Sequence, residues 1–132
     1  MREFSAIDAL VAQQTVQRDD VLCGIGDDAA VLAVRDNARL VATMDTLVAG
    51  IHYPRDTHLA DVGYKLLAVN LSDLAAMGAE PSWATLAMSW PSIDEHSLHT
   101  FMSGFYELAQ AHAVQLIGGD TTRAPVPVFT VQ

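Results

Sequence analysis

A chain of 132 residues, 51% of them hydrophobic, is long enough to bury one core and argues against a second domain within 1–132. Sixteen acidic against seven basic residues leave a formal net charge of −9, which argues against nucleic-acid binding driven by phosphate neutralisation and points instead to carboxylates gathered around cations. The single Cys23 rules out an internal disulfide and fits a reducing, cytoplasmic setting; no apolar run is long enough to span a bilayer, and Met1-Arg2-Glu3-Phe4 lacks the apolar stretch of a secretory signal.

Ile7, Leu10 and Val11 recur three or four apart and predict a short amphipathic helix over 5–16, with Ser5 as N-cap and Asp8 three residues on. A tight segment, Cys23-Gly24-Ile25-Gly26-Asp27-Asp28, comes next. The apolar runs 29–34 and 40–44, separated by a turn at Asp36-Asn37, predict two paired strands, the second ending at Asp45. Residues 46–58 contain Gly50, His52 and Pro54 without periodicity and read as a loop. From about 60 to 77 the pattern turns helical: Leu67, Leu71, Leu74 and Gly78 share one spacing, and Gly78 with Pro81 makes a stop. Residues 83–90 have strand composition. Residues 94 to about 113 read as a second long helix through Leu98, Phe101, Phe105 and Leu108. A short strand at 114–117, a turn at Gly118-Gly119-Asp120 and a strand at 126–132 complete an α-β-β-α-β-α-β-β order, a mixed α/β (α+β) class with a mixed β-sheet packed on helices. The chain stops while still reading Val128-Phe129-Thr130-Val131-Gln132, which suggests a piece of something longer.

The informative feature is where the Asp residues sit. Asp27 and Asp28 follow a Gly-x-Gly turn, Asp45 closes an apolar run, Asp73 lies among Leu, Val and Ala in a helix, and Asp120 follows Gly118-Gly119. Carboxylates brought together raise each other's pKa, so a cluster of them stays ionised only around a cation, and hard oxygen donors suit Mg²⁺. Each site also has a plain reading, since Asp after Gly is an ordinary turn residue, and spacing alone does not make five carboxylates converge. Gly24-x-Gly26 and Gly118-Gly119 would let backbone N–H groups approach an anion, but no dinucleotide fingerprint or P-loop is present. His96 and His99 read as a solvated first turn, Cys23 as a small buried residue, and Trp83 and Trp90 as core or interface.

Four blocks carry a more specific signal: residues 24–32 (Gly-Ile-Gly-Asp-Asp-Ala-Ala-Val-Leu), 45–52 (Asp-Thr-Leu-Val-Ala-Gly-Ile-His), 63–79 with Asn70-Leu71-Ser72-Asp73 at their centre, and 118–123 (Gly-Gly-Asp-Thr-Thr-Arg). In this order they closely resemble the bacterial thiamine-monophosphate kinases, within a superfamily that includes aminoimidazole ribonucleotide synthetase. The resemblance implies the N-terminal domain of that synthetase-like fold, whose sheet joins a partner's in a dimeric barrel, and ATP-dependent phosphorylation of thiamine monophosphate to thiamine diphosphate. It implies several Mg²⁺ ions held by Asp28, Asp45, Asp73 and Asp120 with Asp27 beside them and an oxygen from Thr43. His52 would contact the thiamine phosphate, and Gly119 and Asp120 would lie at the ATP phosphates. Met44 stands where the family commonly has Thr, leaving only its backbone carbonyl for a metal.

The family's C-terminal domain is missing from 1–132, so these residues alone are not expected to turn over substrate. The nucleophile in such a reaction is a phosphate oxygen, already mostly ionised because its second pKa is about 6. Direct transfer then needs charge neutralisation and alignment more than a base, with His52 a positioning group. The competing readings are a non-catalytic dimerisation module that binds metal and phosphate, and a related ATP-dependent synthetase with another substrate.

Overall fold

The computed structural model describes residues 3–132, with side chains from residue 5 onward. Its elements are α1 (Glu3–Val11), β1 (Val21–Cys23), β2 (Val31–Leu32), β3 (Asp45–Val48), α2 (Leu59–Ala76), β4 (Trp83–Trp90), α3 (Glu95–Ala111), β5 (Gln115–Arg123) and β6 (Val128–Val131). Four strands form a mixed sheet in the order β3-β6-β4-β5, in which β4 and β5 run parallel and β6 runs antiparallel to both β4 and β3. The fold is thus mixed α/β, with α2 and α3 on one face of the sheet.

The alternation of β4 explains that layering. Ala84, Leu86, Met88 and Trp90 are buried, while Thr85, Ala87 and Ser89 on the other parity are not. The buried parity continues into Phe129 and Val131 of β6 and Leu47 of β3, and meets Leu66 and Leu67 of α2 and Leu98, Phe101 and Phe105 of α3. Trp90, Phe101 and Phe129 pack edge to face or tilted, with ring centroids 4.5–5.9 Å apart. The opposite face carries hydroxyls: Thr46 and Thr130 bond at 2.8 Å and Ser89 and Thr122 at 2.9 Å.

The two long helices meet at glycines. A Cβ at Gly63 would overlap the Phe101 carbonyl and one at Gly104 the Ala60 carbonyl, so only glycine lets the two backbones approach this closely. Asp94 starts α3 by accepting from the Ser97 N–H and hydroxyl, both at 2.8 Å.

The exposed edge of β5 is partly covered by side chains from the 12–20 segment. Gln14 Nε2 donates to the Leu116 carbonyl (3.2 Å), and the Leu116 N–H donates to Gln14 Oε1 (2.7 Å), so one amide side chain substitutes for a strand neighbour. Arg18 N–H donates to Gln115 Oε1 at 2.7 Å, and Arg18 forms a two-pronged pair with Asp20, which also accepts from Trp83 Nε1. These bonds explain why α1 ends at Val11, short of the expected residue 16: Gln13 and Gln14 are engaged with α3 and β5. Ser5 lies inside α1 rather than at its cap.

Two other expectations need correcting. Residues 40–44 are not a strand: Leu40, Val41 and Met44 are exposed, and the strand begins at Asp45, where the run was expected to end. The hairpin partner of 31–32 is instead β1. Nor is Gly118-Gly119-Asp120 a turn, because β5 runs straight through it beside β4. The glycine is needed for closeness, not reversal, since a Cβ on Gly119 would overlap the Leu86 carbonyl.

Candidate active site

Asp45 opens β3 on the helix-facing parity shared with Leu47, and α2 delivers Asp73 to the same place. Burial first, then the charge of Asp73 and a hydrogen bond shared with it, raise the Asp45 pKa above its ordinary value. Thr43 Oγ1 donates to Asp73 Oδ2 at 3.4 Å, so two carboxyl groups and one hydroxyl converge. Among the described residues, no group of three or more His, Cys, Asp or Glu side chains is placed to hold a metal. Two carboxylates and a hydroxyl are hard oxygen donors of the kind Mg²⁺ takes, and they are fewer than a closed protein cage around the ion would supply.

The other expected ligands lie elsewhere. Asp120 pairs with Ala87, whose parity faces the hydroxyl-bearing side, and its carboxylate is exposed there. Asp45 and Asp120 are separated by β6 and β4, three strand spacings or about 14 Å, and they point to opposite faces. The five carboxylates therefore do not meet at one point in this chain. Asp27 and Asp28 are exposed in the β1–β2 connection; Asp27 Oδ1 accepts the Asp28 N–H at 2.8 Å, and Cys23 Sγ lies 3.8 Å from Asp27 Oδ2. Cys23 is half-buried rather than buried. Met44 is exposed. His96 and His99 are exposed on the first turns of α3, in keeping with the solvated reading.

Asn70, one turn before Asp73, is 3% exposed; its Nδ2 donates to the Leu66 carbonyl while its Oδ1 has no partner among the described residues. It borders, with Thr43, Leu71, Leu74 and Trp83, a cavity of about 320 Å³ between α2 and the sheet.

At the other end of β3 a turn presents His52. The Val48 N–H donates to His52 Nδ1 at 2.8 Å, and the His52 N–H returns a bond to the Val48 carbonyl at 3.0 Å. Gly50 takes a positive φ of 79° in this turn, and Arg55 packs where its Cβ would be. Lys65 Nζ reaches from α2 to the His52 carbonyl at 2.9 Å. Sequence reasoning gave Lys65 and Arg55 no role; the available signal was that Lys65 is the only lysine in the chain.

Residues 26–132 match the AIR synthase related protein, N-terminal domain. The thiamine-monophosphate kinase of Escherichia coli is 49% identical over 124 residues, covering 94% of this chain and 38% of that protein. The crystal structure of thiamine-monophosphate kinase from Stenotrophomonas maltophilia superposes with a TM-score of 0.85 at 53% identity, over 99% of this chain and 41% of that one. AaThiL complexed with AMPPCP and TMP shares the fold at a TM-score of 0.65 and 24% identity, over 99% and 42% of the two chains. The chain thus spans about two fifths of the length of the thiamine-monophosphate kinases it matches. By its sequence match and its fold, the chain belongs to the AIR synthase related protein family, through that family's N-terminal domain.

Proposed function

We propose that residues 1–132 are the metal- and phosphate-binding N-terminal domain of a cytoplasmic thiamine-monophosphate kinase, which transfers a phosphoryl group from ATP to thiamine monophosphate and releases thiamine diphosphate. The observation that carries this reading is the Asp45–Asp73 pair beside Thr43, in a chain 49% identical over 124 residues to a kinase of that specificity. Two adjacent carboxylates are unfavourable in an empty fold and become useful when a cation and anionic substrates meet between them. AMPPCP, an ATP analogue, is bound together with TMP by one protein of this fold.

In this reading Asp45, Asp73 and Thr43 would hold Mg²⁺, which would supply neutralisation of phosphate charge. The chain's own groups bind and orient: the carboxyl pair fixes the metal end of the site, and His52 at the far end of β3 holds the thiamine phosphate. Asp27, Asp28, Asp120, the Met44 carbonyl and Gly119 enter only through the family resemblance. Asp120, on the other face, would serve a separate ion and nucleotide locus. Among the described residues both edges of the sheet, β3 and the outer half of β5, lack a strand neighbour, and Leu22, Val31, Val34, Leu40, Val41 and Met44 are exposed. A homodimer that continues the sheet across two copies would cover such groups. No helix of the described residues is long and apolar enough to cross a membrane.

The test is ATP consumption by the complete protein with thiamine monophosphate as acceptor. Asp73→Asn should lower turnover on the order of 100-fold, while circular dichroism and sedimentation remain those of the parent. Normal turnover by this variant would remove the carboxyl pair from the mechanism.

A further inference from the structure

The 48–52 turn does more than expose a histidine. A backbone N–H can only donate, so the Val48 N–H fixes His52 Nδ1 as an acceptor, and the neutral ring must carry its proton on Nε2. The backbone of His52 is held at two further points. The His52 N–H closes back onto the Val48 carbonyl at 3.0 Å, and Lys65 Nζ holds the His52 carbonyl at 2.9 Å from the neighbouring helix. Tyr53, buried in the core, ties the next residue down, with its carbonyl accepting the Gly50 N–H at 2.8 Å. Among the described residues the only ion pair is Arg18–Asp20, so neither the Lys65 ammonium on the His52 carbonyl nor the Arg55 guanidinium against Gly50 is paired with a carboxylate, in a chain of net charge −9.

We propose that Lys65 is a positioning residue which locks this turn so that His52 meets its ligand as a preset Nε2–H donor, and that the acceptor is an anionic oxygen of a phosphate monoester. The inference rests on the proposed function for the identity of that ester. It also fixes what His52 does not do. With Nδ1 occupied by the Val48 N–H and Nε2 protonated, neither nitrogen offers a free lone pair, so His52 is a donor to the phosphate and not its covalent carrier. Lys65 and Arg55 add positive potential at the same place without needing to touch the reacting atoms. The assignment also explains a lysine on an otherwise apolar helix stretch: its ammonium is used on a carbonyl of another element.

The test uses the complete protein with its histidines labelled with ¹⁵N. His52, identified by its loss in His52→Gln, should show an unprotonated Nδ1 and a protonated Nε2, and thiamine monophosphate should move the Nε2 signal more than the Nδ1 signal. Lys65→Met should blur this into a mixture of tautomers and raise the KM for thiamine monophosphate about 10-fold, more than it lowers kcat. Lys65→Arg, which keeps a donor, should restore much of both. A Nδ1-protonated ring in the parent protein, or a tautomer indifferent to Lys65→Met, would overturn the proposal. If the protein consumes no ATP with thiamine monophosphate, the kinase reading fails, whereas the tautomer measurement still decides this one.

Discussion

The carboxyl groups of Asp45, at the start of β3, and Asp73, in the last turn of α2, stand side by side, with Thr43 donating to the second of them. Like charges at such neighbouring positions cost about 0.5 kcal/mol. Asp45→Asn should therefore raise the melting temperature of the metal-free protein by about 2 °C at pH 7. The same change should abolish any further rise on adding millimolar Mg²⁺ with ATP, which ought to stabilise the parent by mass action. Paired melts of parent and variant, with and without the ligands, check both halves.

The pH dependence follows from two aspartates shifted in opposite directions. Burial and Asp73 raise the Asp45 pKa, so its contribution is favourable below the unfolded value of about 3.9 and is lost as pH rises through the higher folded value. Asp20 runs the other way: the Arg18 hydrogen bond lowers its pKa, and its contribution, present above the unfolded value, disappears as pH falls through the lower folded one. The advantage of Asp45→Asn over the parent should thus vanish below about pH 4. Asp20→Asn should instead be less stable at neutral pH and lose less of its stability on acidification. Urea midpoints measured from pH 3 to pH 7 separate the two.

Gly119 matches a nucleotide-binding position by resemblance, yet it has a packing reason of its own, because its missing side chain is what lets β5 pass the Leu86 carbonyl. Gly119→Ala should cost about 3 kcal/mol, lowering the melting temperature by roughly 10 °C. A folded Gly119→Ala of unchanged stability would show that β5 can shift, and the close approach would no longer explain the glycine.

Gln14 supplies both a donor and an acceptor to Leu116 on the edge of β5. Gln14→Ala leaves that backbone pair unmet and should cost about 1–2 kcal/mol. Hydrogen exchange at the Leu116 amide should accelerate in proportion, with little change at the buried amides of β4.

Much of the fold was legible in the chain. β4 occupies the expected 83–90, α2 lies within a residue of the expected helix, and α3 begins after its cap, Asp94, and ends at Ala111, two residues short of the expected end. These elements announce themselves through local periodicity and caps. Residues 40–44 did not, because an apolar run says nothing about whether a neighbouring strand exists, and here none lies beside it. The stretch 118–120 misled for another reason: glycine marks a freedom from side-chain bulk, which a turn and a close strand approach both require. Of the site, the chain pointed to Asp45 and Asp73 but could not reveal that these two, and not Asp120, come together.

What the sequence by itself determined was the family and the helix-and-strand order over residues 59–131. What only the tertiary structure decided was which faces those residues occupy. Ala84 pairs with Leu116 but Thr85 pairs with Gly118, so Ile117 is an extra residue in β5, and both Leu116 and Ile117 are buried. In an unbroken register Asp120 would stand opposite Met88, on the side of the helices. The bulge moves it opposite Ala87, on the other side, because a strand alternates with period two and one inserted residue inverts everything beyond it.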